Sequence, residues 1–202
     1  MTVERNRFGW GFGLLWVFLS AIGWYIGFVM GFLAGFAPIE LIGHTPLGEG
    51  LAACVSGILI GAVVGIFQWV ILRERVPGAG RWVWASIVGL AVAGGVVGPL
   101  LLVGGGNADF GSLAAVLVVA LGGAVTGMLQ RPVLRGQVSR SGWWVLASTV
   151  GWGLGMAVTG AGMNALAVGD FCGLMGFFGG AVLGAVTGGA LFWLLRQPVP
   201  EA

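Results

Sequence analysis

The sequence predicts an all-α integral membrane protein with six transmembrane helices, built as three tandem helical hairpins with both termini in the cytoplasm. Three observations predict it: an apolar composition, six long apolar runs, and arginines confined to one set of loops. Of the 202 residues, 58% are hydrophobic and only 8% are charged, whereas a soluble domain carries about 25% charged residues. Lipid must therefore surround most of the chain, which excludes a soluble globular protein.

The six apolar runs are each long enough to form a membrane-spanning helix. A helix needs about 20 residues to cross a hydrocarbon core of about 30 Å, and backbone groups in lipid must pair within their own segment. The first run is too long for a secretory signal, so we expect it to be retained as the first helix. The six runs are approximately residues 9–36, 50–73, 82–104, 112–134, 143–167 and 171–195.

Charged residues predict the orientation of these helices. All nine basic residues are arginines at the termini or in alternate loops. In the other loops, the ionisable residues are acidic apart from one histidine. By the positive-inside rule, the arginine side is cytoplasmic and the acidic loops face out. Tryptophans near the arginines are predicted to be anchors at this membrane surface: Trp10, Trp69, Trp82, Trp84, Trp143, Trp144 and Trp193.

Two sequence patterns recur along the chain and define the repeat. Even-numbered helices share Gly-x-x-x-Gly-x-x-Gln-x-x-x-Leu-Arg, which begins at Gly61 and Gly123, and a third copy beginning at Gly184 has Leu191 in place of the glutamine. Odd-numbered helices share Trp-x-x-x-Ser-x-x-Gly, which begins at Trp16, Trp82 and Trp144. The spacing of about 62 residues predicts a duplicated two-helix unit, with copies at about 9–73, 82–134 and 143–196 in a single domain of residues 1–202.

Polar residues of these patterns are the candidate packing or cavity positions. Gly61, Gly65, Gln68 and Leu72 fall within about 60° of one another on a helix face, and small residues on such a face let helices approach closely. Gln68 and Ser86 each lie about 7.5 Å inside the cytoplasmic edge, so a Gln–Ser hydrogen bond between neighbouring helices is predicted for Gln68 and for Gln130. Two hypotheses stay open for this set, polar helix packing and the lining of a cavity on a three-fold axis: Ser20, Gln68, Ser86, Gln130 and Ser148.

The outer face offers a second, weaker candidate site. The segment from Ala37 to Glu49 is predicted to be the longest polar loop, either a solvated turn or part of a cation or substrate site. The residues considered for such a site are Glu40, His44, Glu49, Asp109 and Asp170. Cys54 and Cys172 are predicted to be free buried thiols, with a disulfide as the alternative.

Several kinds of chemistry are not expected from this chain. The predicted helices carry no ionisable residue near the middle, which argues against proton-coupled transport. No nucleophile and base pair is apparent, and neither metal-ligand spacing nor a phosphate-binding loop occurs. The sequence therefore predicts no catalytic residue, no metal, no cofactor and no nucleic-acid partner, and the protein is expected not to be an enzyme.

A family resemblance rests on two segments of the chain, QWVILRERVPGAGRWVWASIVG and GWWVLASTVGWGLG. With their Gln-Trp…Leu-Arg and Trp-Trp-x-x-Ala-Ser repeats, they resemble uncharacterised bacterial polytopic membrane proteins. This resemblance covers nearly the whole chain, from about Trp10 to Arg196. It implies a multi-pass protein of the bacterial cytoplasmic (inner) membrane without implying an activity.

Two functional hypotheses follow. The first is a non-catalytic structural or accessory membrane component, in contact with lipid and with other membrane subunits or copies of itself. The alternative is a small-solute permeation or substrate-binding protein with a cavity at the repeat interface, because transporter sites often lie between repeats.

Overall fold

A computed structural model describes residues 10–97, 99, 113–135, 137–166 and 172–197, and over these residues the regular secondary structure is entirely helical. Five helices are long and apolar enough to cross a membrane, which indicates a multi-pass membrane protein. The sixth, α3, is shorter within the described residues, because the predicted third span runs into residues outside them. The helices are α1 (Trp10–Ile42), α2 (Pro46–Leu72), α3 (Gly80–Val92), α4 (Leu113–Leu134), α5 (Gly142–Leu166) and α6 (Cys172–Leu195).

The six helices form a closed ring in chain order. Each helix packs on the helices before and after it, and α6 packs on α1. Residues buried inside the ring form two apolar clusters, the larger of which lies towards the arginine loops. Leu72, Val76, Leu134 and Val138 belong to it and are almost fully buried, so the ring is filled at this end.

The turn between α1 and α2 corrects the predicted loop over residues 37–49. Pro38 lies within α1, which continues to Ile42, and α2 already begins at Pro46. Gly43 ends α1 with φ +81°, a conformation that glycine adopts without a Cβ penalty. Thr45 then caps α2 by accepting a hydrogen bond from the Gly48 N–H at 3.1 Å. A proline removes one backbone donor from a helix. In α1 the helix nevertheless continues for four residues after Pro38.

The α2–α3 and α4–α5 loops have the same backbone geometry. The N–H groups of Arg75 and Val76 donate to the Leu72 carbonyl, both at 2.8 Å. At the matching positions, Gln137 and Val138 donate to the Leu134 carbonyl at 3.1 and 3.2 Å. Each loop thereby turns a valine into the core and exposes arginines beside it.

Helix α3 departs from regular geometry where it approaches α2. After Val92 it continues as a π-helical turn over Ala93–Val97. A Cβ added to Gly94 would lie 2.7 Å from the Ala53 carbonyl carbon, so only glycine permits this contact. Pro99 lies four residues after Gly95 and has no N–H to donate to its carbonyl, which favours a local change in hydrogen-bond register.

Candidate functional site

Three tryptophans meet at the centre of the ring. Trp16, Trp82 and Trp144, hereafter the tryptophan cluster, are at most 1% exposed. Their ring centroids lie 6.2 Å apart for Trp16–Trp82, 6.4 Å for Trp16–Trp144 and 5.1 Å for Trp82–Trp144. Side chains from α1, α3 and α5 therefore fill the axis close to the arginine end.

This cluster overturns part of the prediction for membrane-surface anchors. Trp82 and Trp144 were expected at that surface, yet both point inward, because they lie one helical turn from the inward-facing Ser86 and Ser148. Their neighbours Trp84 and Trp143 are 69% and 54% exposed, as an anchor should be. Nearness to arginine in sequence gives the depth of a residue but not its direction around the helix.

Each indole of the cluster donates a hydrogen bond to a polar side chain of the adjacent even-numbered helix. Trp82 Nε1 donates to Gln68 Oε1 and Trp144 Nε1 donates to Gln130 Oε1, both at 2.9 Å. Trp16 Nε1 donates to Thr187 Oγ1 at 3.1 Å. Thr187 lies one turn before Leu191, the residue that replaces glutamine in the third pattern. A different residue of the same helix face thus supplies the acceptor.

The predicted Gln–Ser hydrogen bond is present for Gln130 and not for Gln68. Gln130 Nε2 donates to Ser86 Oγ at 3.0 Å, linking α4 to α3. Ser86 in turn donates to the Trp82 carbonyl at 3.0 Å. Gln68 Oε1 instead accepts the hydrogen bond from Trp82 Nε1. Equal depth was therefore a sound argument, but the helix that supplies the partner is decided by the packing around the ring.

The remaining serines of the predicted set differ in their hydrogen bonds. Ser148 donates to the Gly123 carbonyl at 2.7 Å, which ties α5 to α4. Ser20 is fully buried, and its hydroxyl has no partner among the described residues. Trp24 Nε1 and Thr126 Oγ1 are the other buried side-chain polar atoms without a partner in the part of the chain described. All three lie further from the arginine end than the tryptophan cluster.

A second aromatic contact, which includes Trp24, lies further from the arginine end than the tryptophan cluster. The rings of Trp24 and Trp152 lie 5.0 Å apart, and both side chains are buried with Leu90. Trp24, Leu90 and Trp152 occupy matching positions, four residues after the pattern serines. The ring is thus filled by side chains at two levels.

Glycines bring the helices close enough for these hydrogen bonds. A Cβ added to Gly123 would lie 2.7 Å from the Ser148 carbonyl oxygen, and one added to Gly184 would lie 2.8 Å from Val17 Cα. Gly65 and Gly127 likewise lie against Ser86 and Ser148. Backbones this close leave no space for a side chain at the interface.

The candidates predicted for the outer face are brought together only in part. His44 Nδ1 lies 3.5 Å from Glu49 Oε1, and both side chains are well exposed. Glu40 is exposed in the last turn of α1, while Asp109 and Asp170 lie outside the described residues. No group of three or more His, Cys, Asp or Glu side chains suited to a metal ion occurs in the described part of the chain.

Cys54 is a half-buried free thiol on α2, and the side chain of Cys172 is not among those described.

Comparisons with protein-family models, curated proteins and solved structures found no match. Function has to be inferred from the chain's own geometry.

Proposed function

We propose that this chain is a six-span protein of the bacterial cytoplasmic membrane, with both termini in the cytoplasm. Five apolar helices of sufficient length and one shorter apolar helix support six crossings. The described arginines cluster at the ends where α2 meets α3, where α4 meets α5, and where α6 ends. Positive charge confined to one end of a bundle favours a cytoplasmic location for that end.

The proposal includes a two-helix unit present three times. Contacts between α2 and α3, between α4 and α5, and between α6 and α1 use matching residues: a glycine pair on the first helix and the Trp-x-x-x-Ser pattern on the second. The half-patterns at the two ends of the chain lie against each other, as α6 and α1. This equivalence supports a duplicated origin of the ring.

Within that architecture, a non-catalytic structural or accessory role is the function the geometry favours most. The observation that carries it is the tryptophan cluster, which fills the axis and has all three indole N–H groups hydrogen-bonded. A filled, internally satisfied centre serves packing and blocks passage along the axis. Lipid, other membrane subunits or further copies of the chain are the partners of such a component.

Reconstitution into liposomes tests this role. We expect glycerol and urea to enter proteoliposomes no faster than protein-free liposomes, and native purification with mass spectrometry to recover a stable protein partner or a homo-oligomer. Trp82→Ala should lower the unfolding temperature, with exposed Trp84→Ala as the matched control. A saturable solute flux in the wild type would contradict the structural role.

The alternative, a small-solute permeation or substrate-binding protein, has one observation in its favour. Ser20, Trp24 and Thr126 bring three unpartnered polar atoms into the buried interior, and a small polar molecule could satisfy them. In that case a small molecule should co-purify with the wild type and be lost from Thr126→Val. If packing is the only role, the wild type holds no such molecule, and Thr126→Val should leave the composition of the purified sample unchanged.

A further inference from the structure

We propose that the corner between α4 and α5 is a binding site for the phosphate headgroup of an anionic phospholipid. Here a surface depression of about 450 Å³ lies at the arginine end of the bundle. Two guanidinium groups, two hydroxyls and one indole line it. These groups, hereafter the basic corner, are Arg131, Ser139, Arg140, Ser141 and Trp143.

The polar side of the basic corner is suited to phosphate. Arg131 Nε donates to Ser141 Oγ at 3.3 Å, which orients the guanidinium group. Within the described part of the chain, neither Arg131 nor Arg140 forms an ion pair with an acidic side chain. Guanidinium groups bind phosphate through paired, charge-assisted hydrogen bonds, and the serine hydroxyls add donors. A phosphate bound here would supply the counter-charge for both arginines.

The apolar side of the basic corner favours a lipid over a soluble anion. Trp143 and Leu146 are 54% and 55% exposed and line the depression together with the arginines. The Trp143 ring lies 6.2 Å from that of Trp193 in an edge-to-face contact, which restricts its orientation. Indole rings and leucine side chains next to basic groups match the glycerol and upper acyl region of a phospholipid.

The matching corner between α2 and α3 lacks most of these features. Trp69 stands where the basic corner has Arg131, and Pro77, Gly78 and Ala79 stand where it has Ser139, Arg140 and Ser141. Arg73 there lies over the Trp69 ring, with 5.4 Å between the guanidinium carbon and the ring centroid. The two loops share their backbone hydrogen bonds, so the difference lies in side-chain chemistry. That makes the α2–α3 corner an internal control.

This inference rests on one part of the proposed function: the arginine end of the bundle must lie at a membrane surface. It does not depend on a structural role for the protein. A failure in lipid binding would leave the solute-flux experiment unaffected, and a positive flux result would leave lipid binding unaffected.

Native mass spectrometry of the delipidated protein, titrated with phosphatidylglycerol and separately with phosphatidylcholine, tests the site. We expect Arg131→Gln/Arg140→Gln to weaken phosphatidylglycerol binding by about tenfold or more, while the control Arg73→Gln/Arg81→Gln has a much smaller effect. Phosphatidylcholine should bind weakly to all variants. Arg140 is exposed in a loop, so Arg140→Gln alone supplies a variant that retains the fold, with a smaller loss of the same sign.

Three outcomes would overturn the proposal. Equal losses at the two corners would indicate unspecific attraction to the basic surface, and unchanged binding in both Arg131→Gln/Arg140→Gln and Arg140→Gln would exclude the site. Binding of inorganic phosphate by the lipid-free protein, with displacement of phosphatidylglycerol at millimolar phosphate, would identify a soluble anion as the ligand instead.

Discussion

At the scale of single residues, the hydrogen-bond acceptor for each buried indole decides which substitutions the ring tolerates. At the glutamine position of the pattern in the even-numbered helices, α2 and α4 hold Gln68 and Gln130, and α6 holds Leu191. Its helix supplies Thr187 as the acceptor for Trp16, whereas α2 has Val64 at the position of Thr187. An indole N–H left without an acceptor inside the bundle would lower the stability of the protein.

This comparison predicts a rescue. Gln68→Leu should lower the stability of the protein by about 1 kcal/mol, because Trp82 loses its acceptor. Adding Val64→Thr should recover most of the loss, since it recreates the Leu191 and Thr187 arrangement on α2. Unfolding temperatures in detergent, with Val64→Thr alone as the control, measure both effects. If the double variant is no more stable than Gln68→Leu, Thr187 is not a substitute for the missing glutamine.

At the scale of helices, the ring depends on which face of each helix carries glycine. Gly184 lies against the backbone of α1 and is buried, whereas a Cβ added to Gly189, five residues later on α6, would meet nothing within 4 Å. The two positions have the same helical backbone and differ in their surroundings. A methyl group added at Gly184 is therefore expected to act mainly through packing, whereas one added at Gly189 can act only through helix propensity.

Gly184→Ala should accordingly destabilise the protein by about 1–3 kcal/mol, the typical cost of overpacking a close contact. Gly189→Ala should be neutral or slightly stabilising, because alanine has the higher helix propensity. Thermal unfolding of both variants in the same detergent provides the comparison. Equal stability of the two variants would show that α6 and α1 are less tightly packed than their glycine contacts indicate.

At the scale of the whole molecule, opposite ends of the bundle differ in charge. The arginine loops lie at one end, and the α1–α2 turn with Glu40, His44 and Glu49 lies at the other. In the proposed topology, which the positive-inside rule favours, the first end lies in the cytoplasm. A chain inserted this way would present the α1–α2 turn outside the cell.

Labelling of single cysteines should reveal this orientation. In a background of Cys54→Ala and Cys172→Ala, His44→Cys should react with a membrane-impermeant maleimide in intact spheroplasts. Ser139→Cys, which is also at an exposed position, should react only after the membrane is permeabilised. The opposite pattern would invert the proposed topology.

Sequence reasoning located most helices but misplaced contacts that depend on direction. Apolar length marked the spans, and the ends of α2, α4 and α6 agree with the predicted runs to within about one residue at the arginine side. The α1 end was misplaced because residues 37–42, which include Pro38, were assigned to a polar loop, whereas the helix continues to Ile42. The π-helical turn after Val92 was missed, since Gly94, Gly95 and Pro99 mark an irregularity without specifying its form.

The sequence by itself determined the membrane class, the positions of most helices and the spacing of the recurring residues, because hydropathy and periodicity are local properties of the chain. Only the tertiary structure decided that Trp16, Trp82 and Trp144 meet on one axis, that Gln130 bonds Ser86, and that α6 closes the ring against α1. These pairings join residues up to 171 positions apart. They follow from how six helices rotate and pack together, which no single segment specifies.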